Sequence, residues 1–226
     1  MPPVEARSSR TEQLPTAKRH AARSREAILE AATDVFAEQG YASATMQTVG
    51  LRAGLSRGTP GYFFGSKEKL YQAVLARAFE QARGSLRAAQ EEAEKLNLDG
   101  PAVFRHAVSA YLDFLAANPR FVRLVEWEAL SSSGHLGLAE THTQLVMAAL
   151  EGMGEALRAH LPPGYDLAQL MLSIAGMCWF PVAHRDTLAR VLQVDPLAAD
   201  FIKERKEHVG DLVLKGMCGP GRREEE

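Results

Sequence analysis

The sequence predicts an all-α protein in which a three-helix helix-turn-helix DNA-binding domain precedes a larger helical domain. Apolar residues recur at helical spacing along most of the chain, and no segment alternates apolar and polar residues as a strand would. Two short helical segments also meet at a turn containing glycine between Thr45 and Lys67. A helix, a tight turn and a second helix form the motif that places its second helix in the DNA major groove.

The motif and the charge distribution divide the chain into four parts. Lys and Arg outnumber Asp and Glu by 10 to 7 in residues 1–75, whereas they are outnumbered by 16 to 21 in residues 76–226. This modest asymmetry places the basic half with the motif, as expected for nucleic-acid binding. We predict a disordered basic arm, a helix-turn-helix DNA-binding domain, a helical domain and a polar tail at residues 1–22, 23–66, 67–218 and 219–226.

The overall composition indicates a soluble globular protein. The 226 residues are 46% apolar and 24% charged, and the N-terminal region has no apolar run that would suit a signal peptide. The most apolar segment, Leu167 to Ala183, is interrupted by Pro181, so we expect a buried core helix and no membrane partner. The two cysteines, Cys178 and Cys218, do not form a CxxC pair, which favours a reducing, cytoplasmic compartment.

The first predicted helix runs from Ser24 to Gln39 and ends at Gly40, with one apolar face towards the motif. Thr45 is expected to cap the second helix, and Gly54 to end it. The arm before the first helix carries Arg7, Arg10, Lys18 and Arg19. It is either a solvated tail or an arm that adds phosphate or minor-groove contacts.

The second helix of the motif contains a proline, which restricts where the helix can begin. In one register, Thr59 is the N-cap and Pro60 is the first helical residue. In the other, an earlier residue is the N-cap and Pro60 is among the first helical positions, where a backbone N–H would have no acceptor within the helix. Arg57, Thr59 and Tyr62 are the polar groups that reach phosphates and base edges. Lys67 opens the next helix, where a cation is unfavourable for the helix dipole, and this indicates an outside partner such as a phosphate.

Residues 27–41, 52–59 and 62–70 resemble the N-terminal domain of TetR-type transcriptional regulators, with Arg-Ala-Gly-Leu-Ser-Arg-Gly-Thr and Tyr-Phe-Phe-Gly-Ser-Lys-Glu-Lys-Leu as the most specific motifs. The resemblance implies a homodimer that binds a near-palindromic double-stranded DNA operator and releases it when a small-molecule effector binds the helical domain. It also implies DNA contacts at Thr45, Gln47, Arg57, Gly58, Thr59, Tyr62, Phe63 and Lys67.

This chain departs from the family pattern at two places. Pro60-Gly61 replaces a Leu-Tyr pair, which removes a tyrosine that commonly contacts phosphate. Gly50 replaces a usual alanine, and we expect this glycine to loosen the second helix slightly. The operator sequence therefore does not transfer from other members.

The remainder of the chain is predicted to be helical, with the last two helices forming the dimer interface. The predicted helices are 67–95, 101–118, one starting at 118–119, 138–161, 167–183 and 196–217. Seven residues either line an effector pocket or pack in the core: Phe104, Val108, Tyr111, Trp127, Met147, Met171 and Cys178. Glu128 either orients a polar group of the effector or faces water. Such a pocket favours an apolar or aromatic effector.

Other function classes have weaker support in the sequence. His135, Glu140 and His142 are close together but lack a metal-ligand spacing, and we expect no metal or cofactor. No catalytic motif is present, so an enzyme is the least favoured alternative. A redox- or metal-responsive regulator on the same scaffold would use Cys178 or Cys218, of which Cys178 is expected to be inert in an apolar helix.

Overall fold

A computed structural model describes residues 16–130 and 166–217 of the chain. Every regular element in these two stretches is helical, which confirms the all-α fold class. The helices are α1 (Thr16–Ser43), α2 (Met46–Arg52), α3 (Thr59–Phe64), α4 (Lys67–Lys95), α5 (Gly100–Ala117), α6 (Pro119–Leu130), α7 (Leu167–Ala183) and α8 (Ala199–Met217), with a π-helical segment at Arg185–Ala189. None of them has the length and apolar character needed to cross a membrane. The predicted helix 138–161, most of the arm and the polar tail lie outside the described residues.

The apolar core runs without a break from the helix-turn-helix into the helical domain. In a first group, α2 packs against α1 and α3, and both of these pack against α4; in a second group, α4 packs against α5. Leu70, Tyr71 and Val74 of α4 are fully buried in the first group, while Phe104 and Leu112 of α5 continue the same cluster. Helix α4 therefore belongs to both groups.

Helix α1 begins at Thr16, which corrects the predicted start at Ser24 and makes the last part of the predicted disordered arm helical. Residues 18–23 are exposed and bury no apolar side chain, so the apolar pattern used for the prediction could not detect them. Ala, Lys and Arg are nevertheless good helix formers. The helical path is interrupted at Gly40, which has a φ of +71° and occupies the predicted stop position.

The bounds of α4 and α7 agree with the predicted ones, and the structure shows how α7 tolerates Pro181. Proline lacks the N–H that would bond the carbonyl of Met177 four residues earlier. Arg205 of α8 donates to that carbonyl from Nε at 3.2 Å and Nη2 at 2.7 Å. Helix α8 starts at Ala199 and not at Pro196, because Asp195 forms a turn in which Leu197 N donates to its carboxylate.

The expectation that α7 is covered on all sides is wrong within this chain. Leu172 is 67% exposed and Phe180 is 47% exposed, and further large apolar side chains are exposed in the segment that follows. The exposed large apolar residues of this region are Leu172, Phe180, Leu188, Val191, Leu192, Val194 and Leu212.

Candidate nucleic-acid interface

The N-terminus of α2 is capped as the sequence predicts. Thr45 has an extended backbone, and its hydroxyl accepts a hydrogen bond from the N–H of Thr48 at 3.1 Å. Gly54 adopts a φ of +68° after the helix, and the N–H of Leu55 donates to the carbonyl of Gly50 at 2.9 Å. Thr45 and Gln47 both face solvent, so they remain available for the predicted DNA contacts.

The structure selects the second of the two predicted registers for α3. Gly58 is the N-cap, and Pro60 stands in the first turn, where its missing N–H removes no helical bond. The hydroxyls of Ser56 and Thr59 are hydrogen-bonded at 2.7 Å, which closes the turn before the helix. Helix α3 is therefore short, with only 6 residues, and its position depends on packing against the neighbouring helices.

Gly50 supplies that packing, which is a role beyond the slight loosening of α2 that the sequence predicts. The glycine is buried, and a Cβ at this position would lie 2.8 Å from the carbonyl oxygen of Ser56 and 3.3 Å from Cδ of Pro60. The alanine usual in the family would therefore collide with the turn of this chain. Gly50 and Pro60 form a matched pair that brings α3 close to α2.

The outward face of α3 consists of Arg57, Gly58, Gly61 and Tyr62. Arg57 and Gly58 are exposed, and Tyr62 is 87% exposed despite its large aromatic ring. No side chain lies within 4 Å of a Cβ built at either glycine, so the backbone is open to a partner. Of the other predicted contact residues here, Thr59 is half-buried beneath this face.

Phe63 is oriented differently from Tyr62. Its ring is half-buried and packs against the apolar core, and it contacts the Tyr62 ring edge-on at 5.4 Å between centroids. The structure therefore gives Phe63 a role in holding Tyr62 outward, and its predicted groove contact stays a prediction.

Lys67 has partners within the chain that differ from the predicted phosphate. Its ammonium donates to the carbonyls of Tyr41, Ala42 and Ala44 at 2.8, 3.3 and 3.1 Å, and it lies 4.4 Å from the centroid of the Tyr41 ring. These bonds occupy its three N–H groups and fix the segment that leads into Thr45. A phosphate contact would require at least one of these bonds to be given up.

Trp127, which was predicted to line an effector pocket or pack in the core, lies at the contact between α6 and α1. Its indole N–H donates to the carbonyl of Ala37 in α1 at 3.1 Å. Its ring covers Gly40, where a Cβ would lie only 3.0 Å from the indole. Gly40 therefore needs to be glycine both for its positive φ and for this contact.

Glu128 of α6 is bonded to α4, and its predicted contact with an effector stays a prediction. Its carboxylate accepts a hydrogen bond from the hydroxyl of Tyr71, which is fully buried in α4. Burial, and then the hydrogen bond to this carboxylate, raise the pKa of Tyr71, so the phenol stays protonated. The Tyr71 ring packs on Tyr41 and Phe36, at 5.0 and 4.7 Å between centroids.

Ion pairs extend the same junction along α1. Arg120 of α6 contacts Glu30 at 2.6 Å and Asp34 at 2.7 Å, and Arg77 of α4 contacts Glu26 and Glu30, each at 2.8 Å. The hydrogen bond from Arg120 is the main reason that the pKa of Glu30 lies below its ordinary value. Helix α6 is thus attached to α1 by ion pairs at its start and by Trp127 near its end.

The remaining predicted pocket residues lie together in the core of the helical domain. Phe104 and Cys178 are fully buried, Val108 is 2% exposed, and Tyr111 and Met171 pack against the same cluster between α5 and α7. Met147 lies outside the described residues. The five described residues can line an effector site only if the effector inserts between these two helices.

Burial also controls the chemistry of this core. Burial raises the pKa of the Cys178 thiol to about 12, and it raises the pKa of Tyr111 as well. A thiol that stays protonated is a poor nucleophile and metal ligand, which agrees with the prediction that Cys178 is inert. In residues 16–130 and 166–217, no three His, Cys, Asp or Glu side chains are grouped so as to hold a metal ion. Cys218, His135, Glu140 and His142 lie outside these residues.

Sequence reasoning missed the contact between α1 and the end of α3. The guanidinium of Arg25 lies over the ring of Phe64, 4.9 Å from its centroid. The sequence signal that was available is the run of residues 16–25, which contains cations and no carboxylate.

Two family models match most of the described chain. The model described as "Bacterial regulatory proteins, tetR family" matches residues 28–74, and the one described as "Tetracyclin repressor-like, C-terminal domain" matches residues 102–213. The first covers the helix-turn-helix and the second covers the helical domain. The match therefore extends beyond the residues on which the sequence resemblance was based.

Curated proteins and solved structures give the same result. The transcriptional repressor NicS of Pseudomonas putida is 27% identical over 203 residues, which cover 86% of this chain and 92% of NicS. The transcriptional activator FasR of Mycolicibacterium smegmatis is 34% identical over 98 residues, 43% of each chain. The crystal structure of FadR from Bacillus subtilis with stearoyl-CoA has a TM-score of 0.62 at 19% identity, covers 84% of this chain and 98% of FadR, and shows a shared fold.

Proposed function

Because the chain belongs to the TetR family of transcriptional regulators, we propose that it is a ligand-responsive repressor that binds a palindromic operator through α2 and α3. The observation that carries this proposal is the outward face of α3. Tyr62 is a large aromatic residue that is 87% exposed, and it stands beside Arg57 and two open glycines. An exposed aromatic and cationic face on the second helix of the motif fits the base edges and phosphates of the major groove.

The similarity to NicS supports a repressor, since it extends over most of both chains, whereas the similarity to the activator FasR covers less than half of each. We place its action in the cytoplasm, where the operator DNA is located. The DNA contacts proposed are the predicted set, with Arg57, Gly58 and Tyr62 as its most exposed members on the turn and α3.

A homodimer is proposed from the apolar residues exposed on α7, α8 and the segment between them. Val191 is 76% exposed, Leu172 67% and Leu192 63%, which leaves a large apolar surface without cover within the described chain. A second copy of the chain would cover it, and the resulting two-fold symmetry would match a palindromic operator. Sedimentation velocity of the full chain measures this directly, and a monomer at micromolar concentration would contradict it.

The proposed effector is a small apolar or aromatic molecule that binds between α5 and α7 and acts on the DNA-binding domain through α6. The core there is lined by Phe104, Val108 and Met171, whose apolar side chains favour such a ligand. Helix α6 carries Trp127 and Glu128, which bond to α1 and α4 of the DNA-binding domain. A ligand that displaces α6 would therefore change the position of α3, the helix that enters the major groove, in each protomer of the dimer.

The experiment that tests the function is selection of bound fragments from the genome that encodes the protein. We expect the full-length wild type to enrich fragments that share one motif with two inverted half-sites. Small molecules related to the products of the adjacent genes are then tested for release of that DNA. Enrichment without a shared motif would contradict a sequence-specific regulator, and release only by polar compounds would contradict the proposed effector class.

A further inference from the structure

The N-terminal part of α1 is a basic segment that contains no carboxylate. Residues 18–25, here called the basic segment, include Lys18, Arg19, Arg23 and Arg25 and no Asp or Glu. Lys18, Arg23 and Arg25 are exposed, and no residue of the segment is buried in the core. Cations in the first turn of a helix, where Lys18 and Arg19 lie, are unfavourable for the helix dipole. Core packing therefore gives no reason for this arrangement.

Three other arginines that contact α1 pair with carboxylates. Arg52 pairs with Glu38, Arg77 with Glu26, and Arg120 with Asp34. In the part of the chain that the structure describes, no carboxylate lies within ion-pair distance of Lys18, Arg23 or Arg25. These three cations of the basic segment therefore differ from those that hold the domains together.

The position of the basic segment connects it to the DNA-binding face. Arg25 packs over the ring of Phe64, the last residue of α3. The C-terminal end of the basic segment therefore lies beside the end of α3, the reading helix of the motif. Lys18 stands seven residues earlier, which is two helical turns along the same side of α1 and roughly 10 Å from Arg25. The exposed cations of the basic segment thus extend along α1 from the end of α3.

We propose that the basic segment of α1 is a second DNA contact, which binds backbone phosphates outside the stretch of major groove that α3 occupies. This inference rests on the proposed function, because it extends the same DNA complex. Long, solvated Lys and Arg side chains that are exposed at the edge of a reading helix suit phosphates, which carry charge but no sequence information. The segment therefore increases affinity and enlarges the footprint, but it does not choose the operator.

The test compares the salt dependence of operator binding by two variants with equal charge change. In the test variant Lys18→Gln and Arg23→Gln are combined, and Arg25 is kept because it packs on Phe64. In the control variant Arg87→Gln and Lys95→Gln are combined, since both are exposed on α4 and have no ion pair within the described residues. Each full-length protein is titrated onto a selected operator fragment across a series of KCl concentrations.

A role for the basic segment in DNA binding predicts a smaller slope of log K against log salt for the test variant only. The slope should fall by about 0.9 for each phosphate that the protein no longer neutralises, hence by about 2 per protomer. Hydroxyl-radical footprinting should show weaker protection outside the two half-sites and unchanged protection within them. Circular dichroism of each variant confirms that the fold is retained.

A test variant with the wild-type slope, or with the same change as the control, would overturn the inference. Weaker protection within the half-sites would also overturn it, since the segment would then act on the reading helix. If the wild type itself selects no operator, the proposed function fails and this inference fails with it. If the wild type binds its operator without protecting the flanking phosphates, the inference alone fails.

Discussion

Polar side chains on the two faces of the DNA-binding domain differ in whether they are bonded within the chain. On the inner face, towards the helical domain, Lys67 bonds to three carbonyls and Tyr71 bonds to Glu128. On the outward face, Arg57 and Tyr62 are exposed, and the structure shows neither a hydrogen bond nor an ion pair for them among the described residues. The polar groups of the inner face are therefore hydrogen-bonded within the chain, while those of the outward face are available to a partner.

This difference shows why residue type alone does not identify a DNA contact. Lys67 and Arg57 are both cations at helix starts in the motif, and the sequence assigns both of them to phosphates or bases. Only the structure shows that the Lys67 ammonium holds residues 41–44, which lead into α2. Three substitutions test the distinction, beginning with the one that should have the largest effect.

The first prediction uses two glycines, one on each face. Gly50→Ala should lower the free energy of unfolding by about 2 kcal/mol, since its Cβ would lie 2.8 Å from the backbone oxygen of Ser56 and overpacking costs more than the gain in helix propensity. Chemical denaturation measures the change.

Gly61→Ala is the matched control for Gly50→Ala. No atom lies within 4 Å of its Cβ, so this variant should be as stable as the wild type or up to about 1 kcal/mol more stable. Its operator affinity should fall if the backbone of α3 approaches the DNA. Equal stability of the two variants would show that the Gly50 contact does not determine the position of α3.

The second prediction concerns Lys67→Met, which keeps the length of the side chain but removes its donors. Because three carbonyls lose a charged partner, the free energy of unfolding should fall by about 1.5 kcal/mol. The salt slope of operator binding should stay the same, since the ammonium is used within the chain. A slope reduced by about 1 at unchanged stability would instead support the phosphate contact predicted from the sequence.

The third prediction is a small pH dependence at the α1–α6 contact. The pKa of Glu30 is lowered from an ordinary value near 4.5, mainly by the hydrogen bond from Arg120. Its stabilising contribution is therefore complete above about pH 4.5 and is lost as the pH falls below this value. Glu30→Gln should lower the melting temperature at about pH 7 by an amount equivalent to less than about 1 kcal/mol, and this deficit should shrink as the pH falls through the lowered pKa of Glu30.

Glu91→Gln is the control for this pH series, because Glu91 is exposed on α4 and has no ion pair in the described stretches. Its melting temperature should follow that of the wild type at every pH. A Glu30→Gln deficit that stays constant as the pH falls would contradict a charge-based contact.

Most of the fold was predictable because apolar spacing reports helices directly. The bounds of α4 and α7 were predicted from this pattern, as was the cap at Thr45. The start of α1 was not, since residues 18–23 are stabilised by backbone propensity without any buried side chain. The spacing of apolar residues reveals a helix only where one of its faces is buried, and an exposed helical extension has no buried face.

The site was only partly predictable, because spacing does not show which helix a side chain meets. Trp127 was predicted to line a pocket or pack in the core, and Glu128 to orient an effector or face water. Neither prediction named their contacts with Ala37 and Tyr71, which are distant in sequence. The tight fit of Gly50 against the turn was also invisible, since it depends on the distance between two backbones. Contacts between helices that are far apart in the chain required the structure.

The most direct test compares Arg57→Ala with Arg52→Ala for operator and non-operator DNA. Both arginines belong to the helix-turn-helix, but Arg52 is held by two bonds to Glu38 at 2.9 and 2.7 Å, whereas Arg57 is exposed and has no such partner in the described chain. Arg57→Ala should weaken operator binding by about 1–3 kcal/mol and reduce specificity, while Arg52→Ala should leave both nearly unchanged. Equal losses in the two variants would contradict the account that unpartnered residues on the outward face bind the DNA.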